Sequence, residues 1–148
     1  MLDWVFLSPL RRYSELGLFA FRLFIAVFLL WSIWAKIFEP EAAAPLVMFL
    51  SRNNLPAPEV LAQLSVWAQF TIALAFIIGL FTRWAGVLCV FNFAVAAVLV
   101  GRTQGAQASF APGCLVFSGA YLALYGAGRF GLDRLFEGPV RPLATKSA

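Results

Sequence analysis

Histidine is absent from this 148-residue chain, and charge is scarce: 11 Lys and Arg with 7 Asp and Glu amount to 12% of the residues. Without histidine the chain has neither the usual axial ligand of a membrane haem b nor the commonest transition-metal ligand. Its two cysteines, Cys89 and Cys114, make no C-x-x-C pair and no cluster for zinc or iron–sulfur. No phosphate loop or dinucleotide fingerprint is present. Carboxylates are confined to loops and tails, so no acidic relay of the kind used by proton pumps runs through the apolar segments. No haem, metal or covalently held cofactor is expected.

What the chain does have is apolar length. Hydrophobic residues make up 62% of it, too many for a water-soluble globule of this size to hide. Four runs carry most of them: Leu16 to Phe38, Val60 to Phe81, Trp84 to Val100 and Phe110 to Ala127. A helix needs about 20 apolar residues to cross a hydrocarbon core of about 30 Å. The runs lack the alternation of a barrel strand, and backbone in lipid must bond to itself, so helices are the remaining choice. The expected fold is an all-α membrane protein, a bundle of four transmembrane helices forming a single domain over 1–148. The first run is about 22 residues long, beyond the h-region of a cleaved signal, and is expected to stay.

Four crossings put both termini on one side. Arg11, Arg12, Arg83, Arg129, Arg134, Arg141 and Lys146 then share that side, against Lys36, Arg52 and Arg102 opposite. The excess of basic residues places both termini, and the tail 129–148, in the cytoplasm. The net charge of +4 comes mostly from this collar. It fits contact with anionic lipid headgroups; no interleaved basic and aromatic patch argues for nucleic acid. The segment before Ser8-Pro9, with Trp4 and Phe6, reads as interfacial. In the first outer loop Pro45 to Leu50 is apolar but too short to cross, which predicts a short interfacial helix broken by Asn53-Asn54-Leu55-Pro56. The second and third spans are separated only by about Thr82-Arg83 and must be antiparallel neighbours.

Polar groups inside the spans are the candidates for function, because lipid makes them costly. Arg22 either snorkels to the near interface or bonds inside the bundle. Arg22, Leu29 and Lys36 recur every seven residues and share one stripe. Gln69, Asn92 and Ser118 fall at similar depth near the midplane on three different helices. Ser65 shares the face of Gln69, and Tyr125 that of Ser118. Two readings stay open: interhelical bonding, or a pocket whose amide, hydroxyl and guanidinium donors meet the carbonyl oxygens of a lipid-soluble molecule such as a quinone. Ala75 with Gly79, and Gly119 with Ala123, read as packing notches. Cys89 and Cys114 should differ in depth by roughly 10 to 15 Å, too far for a disulfide, and read as small buried hydrophobes.

Three stretches together resemble the DoxX family of small four-helix membrane proteins: Phe21-Arg22-Leu23-Phe24 through Trp34-Ala35-Lys36; Asn54-Leu55-Pro56-Ala57-Pro58 with Ile78-Gly79-Leu80-Phe81-Thr82-Arg83; and Gly126-Ala127-Gly128-Arg129-Phe130-Gly131-Leu132-Asp133. The likeness runs from Arg22 to Asp133. Gln69 stands where many members have a glutamate, and Gly131 where the closing segment usually has serine. The resemblance implies a bacterial inner-membrane protein, with relatives that include a subunit of thiosulfate:quinone oxidoreductase and a membrane partner in an oxidative-stress complex. The expectation is a subunit that binds a quinone-like molecule for a redox protein partner. Arg22, Lys36, Gln69, Asn92, Ser118 and Tyr125 would line the site, while Arg129 and Asp133 hold the inner end, Asp133 pairing with Arg22 or Arg129. Any catalysis would belong to a quinone-linked oxidoreductase complex; no catalytic residue is assigned. The alternatives are a scaffold or assembly factor, and a small-solute transporter formed as a homo-oligomer.

Overall fold

The computed structural model describes residues 13–128 and 131–133. Its elements, in order, are α1 (Ser14–Phe38), a 3-10 turn (Pro40–Ala43), α2 (Ala44–Arg52), α3 (Pro58–Ile78), α4 (Thr82–Gln104) and α5 (Phe110–Tyr125), and no strand occurs among the described residues. The expected N-terminal interfacial segment, Arg129 and most of the basic collar and tail lie outside the described residues.

α1, α3 and α4 are each long and apolar enough to cross a membrane. At about 1.5 Å per residue their 25, 21 and 23 residues span about 37, 31 and 34 Å. α5 is equally apolar but has only 16 residues, about 24 Å. It starts recessed: the Ser109 hydroxyl, just before α5, donates to the Ala97 carbonyl at 2.9 Å, well short of the end of α4.

The four helices run up and down. The start of α1, the end of α3, the start of α4 and the end of α5 gather at one end, because Arg22, Gly79, Thr82 and Ala127 all meet there. The predicted Thr82-Arg83 turn is displaced: Thr82 already opens α4, and the reversal falls at Gly79–Phe81. Gly79 ends α3 at φ 70, with its N–H and that of Leu80 both donating to the Ala75 carbonyl, a left-handed helix stop that glycine adopts without a Cβ clash. The first loop does contain a short helix, α2, which packs against α3. Asn53 caps α2 through Nδ2 to the Phe49 carbonyl at 2.8 Å.

Apolar association supplies little drive between helices already in oil, so close approach must come from small residues. α4 and α5 pack together most extensively, and glycine permits it. A Cβ on Gly86 would lie 2.6 Å from the Gly119 carbonyl oxygen and 2.6 Å from the Ala123 amide nitrogen, both backbone. The expected Gly119–Ala123 notch is thus real and faces Gly86. The interior behind it holds Leu29, Ile72, Ala73, Phe76, Cys89 and Leu122, all 0% exposed. Outward lie large apolar side chains such as Trp31, Phe91, Phe117 and Leu124, each 70% exposed or more, the distribution of a protein solvated by lipid. Gly86→Ala should therefore force α4 from α5 and cost roughly 2–4 kcal/mol. Thermal unfolding in mild detergent should show a clear fall in apparent Tm, whereas Gly17→Ala, at a position with open space, should change it little.

Candidate functional site

The candidate residues separate into two places. At the gathered end, Arg22 is 1% exposed and turned inward, so it does not snorkel. Its Nη1 donates to the Ala127 carbonyl at 2.6 Å, beyond the end of α5. The guanidinium also lies over the Phe19 ring, 5.6 Å from its centroid. Backbone without side chains makes this approach feasible: a Cβ on Gly79 would lie 2.8 and 2.9 Å from Arg22 Nη1 and Nη2 and 2.7 Å from Gly131 Cα. Gly131, where the family pattern has serine, is equally confined: its Cβ would meet the side chain of Ala127, and would lie 3.0 Å from the Gly79 carbonyl oxygen.

Asp133 completes this end. Its Oδ1 accepts from the Phe81 N–H at 2.5 Å and its Oδ2 from the Thr82 N–H at 2.9 Å, while its own N–H donates to the Gly79 carbonyl at 2.9 Å. A carboxylate at a helix N-terminus satisfies orphan donors and opposes the helix dipole, so Asp133 caps α4 from the far end of the chain. Both of its oxygens serve that cap. The expected pairing of Asp133 with Arg22 takes a looser form, electrostatic attraction without a hydrogen bond between them. Arg22 Nε and Nη2 and Thr82 Oγ1 are buried with no hydrogen-bond partner.

The second place is at mid-depth between α3 and α4. The Ser65 hydroxyl donates to Asn92 Oδ1 at 2.9 Å, and Gln69 Nε2 donates to Ser65 Oγ at 3.2 Å. Ala62, Gln69 and Phe76 recur at heptad spacing, so Gln69 points inward with them. Yet Ala62 is 1% and Phe76 0% exposed, while Gln69, Ser65 and Asn92 are only half-buried. Ser65, Gln69 and Asn92 therefore keep accessible polar surface at a depth where Ala62 and Phe76, on the same face of α3, keep almost none. One turn along α4 from Asn92, Leu88 lines an apolar groove of about 340 Å³ between α3 and α4, with Thr71, Ala75, Ile78 and Trp84.

The other candidates are not brought together with either place. Lys36 shares the inward stripe but ends about 21 Å along α1 from Arg22, its Nζ donating to the Ser32 carbonyl of its own helix at 2.8 Å. The Ser118 hydroxyl turns back to the Cys114 carbonyl at 2.7 Å and does not join the amides. Tyr125 is 51% exposed and stacks on Tyr121 with centroids 5.5 Å apart. Arg129 lies outside the described residues. Both cysteines are free; Cys89 is buried, its thiol 3.6 Å from the Leu115 carbonyl, but Cys114 is exposed, because its side of α5 faces away from the bundle.

Sequence reasoning missed the glycine bed of Arg22 and the Ala127 carbonyl. Gly79 was legible as a small residue, not as the surface a guanidinium lies on, and a backbone acceptor has no sequence signal. Asp133 was singled out, but its role as a cap on α4 was not, since the partners are about fifty residues apart.

Compared with models of known families, residues 17–102 match the one described as DoxX. No curated protein and no solved structure matches the chain.

The Arg22 end makes a direct prediction. Gly79→Ala combines a left-handed φ with a Cβ in the guanidinium, and should lower stability by roughly 2–4 kcal/mol. Asp133→Ala, which uncaps α4, should cost roughly 1–2 kcal/mol, and Asp133→Asn less. Denaturation midpoints in one detergent, with the three variants side by side, check the order.

Proposed function

The chain belongs to the DoxX family, and on that premise we propose that it is a four-span inner-membrane subunit that binds a quinone-like molecule and presents it to a redox protein partner. The observation that carries this reading is the Ser65–Gln69–Asn92 trio, hydrogen-bonded at mid-depth and still accessible where the same face of α3 is sealed above and below. Polar groups in a bilayer interior are costly, so an accessible set is better suited to a ligand than to packing alone. Asn92 keeps both amide hydrogens free of the trio, and these meet carbonyl oxygens. The apolar groove whose Leu88 lies one helical turn from Asn92 suits a hydrocarbon tail.

In this reading α5 is the fourth crossing, its 16 residues accommodated by local thinning of the bilayer. α2 lies at the outer interface with its Met48 and Arg52 exposed, and both termini face the cytoplasm. The Arg22 end is then the inner end and acts as a structural lock, with the ligand bound elsewhere.

Titration of the detergent-purified protein with a short-chain ubiquinone analogue, followed by tryptophan quenching, tests the site. Binding should be saturable. Asn92→Leu and Gln69→Leu should each weaken it by about tenfold, the scale of a lost hydrogen bond to a buried ligand. Ser118→Ala should leave it unchanged. Absence of saturable binding, or equal affinity in all variants, would overturn the reading.

A further inference from the structure

The trio is neutral throughout, and this bears on what the site can do to its ligand. A quinone and its quinol differ by two electrons and two protons, so a pocket that converts one to the other needs a group within reach, about 2.6–3.2 Å, to give or take a proton. Serine, glutamine and asparagine do not titrate in the physiological range. Among the described residues, the charged groups on the packed elements are held elsewhere. On α1, Glu15 lies in the first turn, Arg22 is bonded to the Ala127 carbonyl and Lys36 to the Ser32 carbonyl. On α3, Glu59 is exposed in the first turn, and on α4 Arg83 and Arg102 are exposed near opposite ends. Arg52 is exposed in the last turn of α2. Of the remaining titratable groups among the described residues, Asp133 caps α4, Glu39 and Glu41 lie at the 3-10 turn after α1, Tyr13 is exposed before α1, the Cys89 thiol faces the Leu115 carbonyl, Cys114 is exposed, and Tyr121 and Tyr125 stack on each other at the outer surface of α5.

The trio's own bonding leaves a mixed set for a guest. Ser65 and Gln69 each commit one hydrogen within the cluster. Asn92 retains two amide hydrogens, and Gln69 retains one hydrogen and its carbonyl oxygen. Donors satisfy the oxygens of a quinone, and the Gln69 carbonyl accepts from the hydroxyl of a quinol. Both redox forms find partners without any change of protonation in the protein.

Resting on the function proposed above, we propose that the Ser65–Gln69–Asn92 cluster binds the oxidised and reduced forms of its ligand with nearly equal affinity and exchanges protons with neither, Gln69 being the residue that sets this indifference. The cluster is a relay station for the intact molecule. Protons enter and leave where the partner performs the oxidation or reduction.

Affinities of a short-chain ubiquinone and its quinol are to be measured anaerobically on the full chain in nanodiscs from about pH 4 to about pH 8.5, a window spanning the titration of an ordinary carboxylate and of one raised by burial. In the native protein the two forms should bind within about threefold of each other and the curves should be flat with pH. In Gln69→Glu the introduced carboxylate should repel the quinone oxygen and accept from the quinol as it ionises, opening a preference for quinol of about tenfold or more as pH rises. A native preference beyond tenfold, or a native curve that bends with pH, overturns this inference while leaving ligand binding intact. A folded native protein that binds neither form overturns both this inference and the function on which it rests. The native pH series stands alone if the variant does not fold.

Discussion

A guanidinium taken out of water has to be met by fixed dipoles, and the Arg22 end of this bundle is arranged around that requirement. The Ala127 carbonyl receives Nη1, the Phe19 ring lies beside the cation, and Asp133 supplies opposite charge nearby. None of this is possible unless two stretches of backbone approach without side chains, which is why Gly79 and Gly131 stand where they do. The left-handed stop at Gly79 then fixes the α3–α4 reversal, and Asp133 caps the helix that follows. One buried charge thus dictates the end of α3, the start of α4 and the path of the chain after α5. The arrangement is incomplete in hydrogen-bond terms, with Arg22 Nε, Nη2 and Thr82 Oγ1 unpartnered, so its value is specificity of packing more than net stability.

Away from that end, contact area between helices comes from small residues. Gly86 against Gly119 and Ala123 brings α4 and α5 to backbone contact, while the large aromatics turn outward to lipid. The outcome is uneven burial along α3: sealed where Ala62, Ala73 and Phe76 face neighbours, and accessible where Ser65 and Gln69 face Asn92. Where packing relaxes, polarity appears, and that coincidence gives the mid-depth trio its functional interest.

The helical, membrane-embedded character was legible from composition and run length, and so was the family. The inward stripe of α1 was legible from heptad spacing, and the Gln69–Asn92 proximity from equal depth. Depth alone does not distinguish sides, however, which is why Ser118, at the same level, turns back on its own helix. Tyr125 and Cys114 fail for a related reason: α5 is thinly covered, and a polar face on it need not be an inner face. Lys36 lies on the expected stripe but beyond the reach of Arg22, since the two are separated by more than half the length of α1. The length of α5 was overestimated because Gly126 and Ala127 continue the apolar run after the helix has stopped at Gly126, φ 82.

The hydrogen bond from Arg22 to Ala127 bridges a separation of 105 residues. Ribosomes add about 5–20 residues per second, so Arg22 emerges roughly 5–20 s before its acceptor exists. During that interval the Arg22 guanidinium lacks the carbonyl that receives it in the finished bundle. The seating of the first helix is therefore tied to a late stage of synthesis: its arginine can take the bond it has in the finished bundle only after the residues that follow α5 have been delivered.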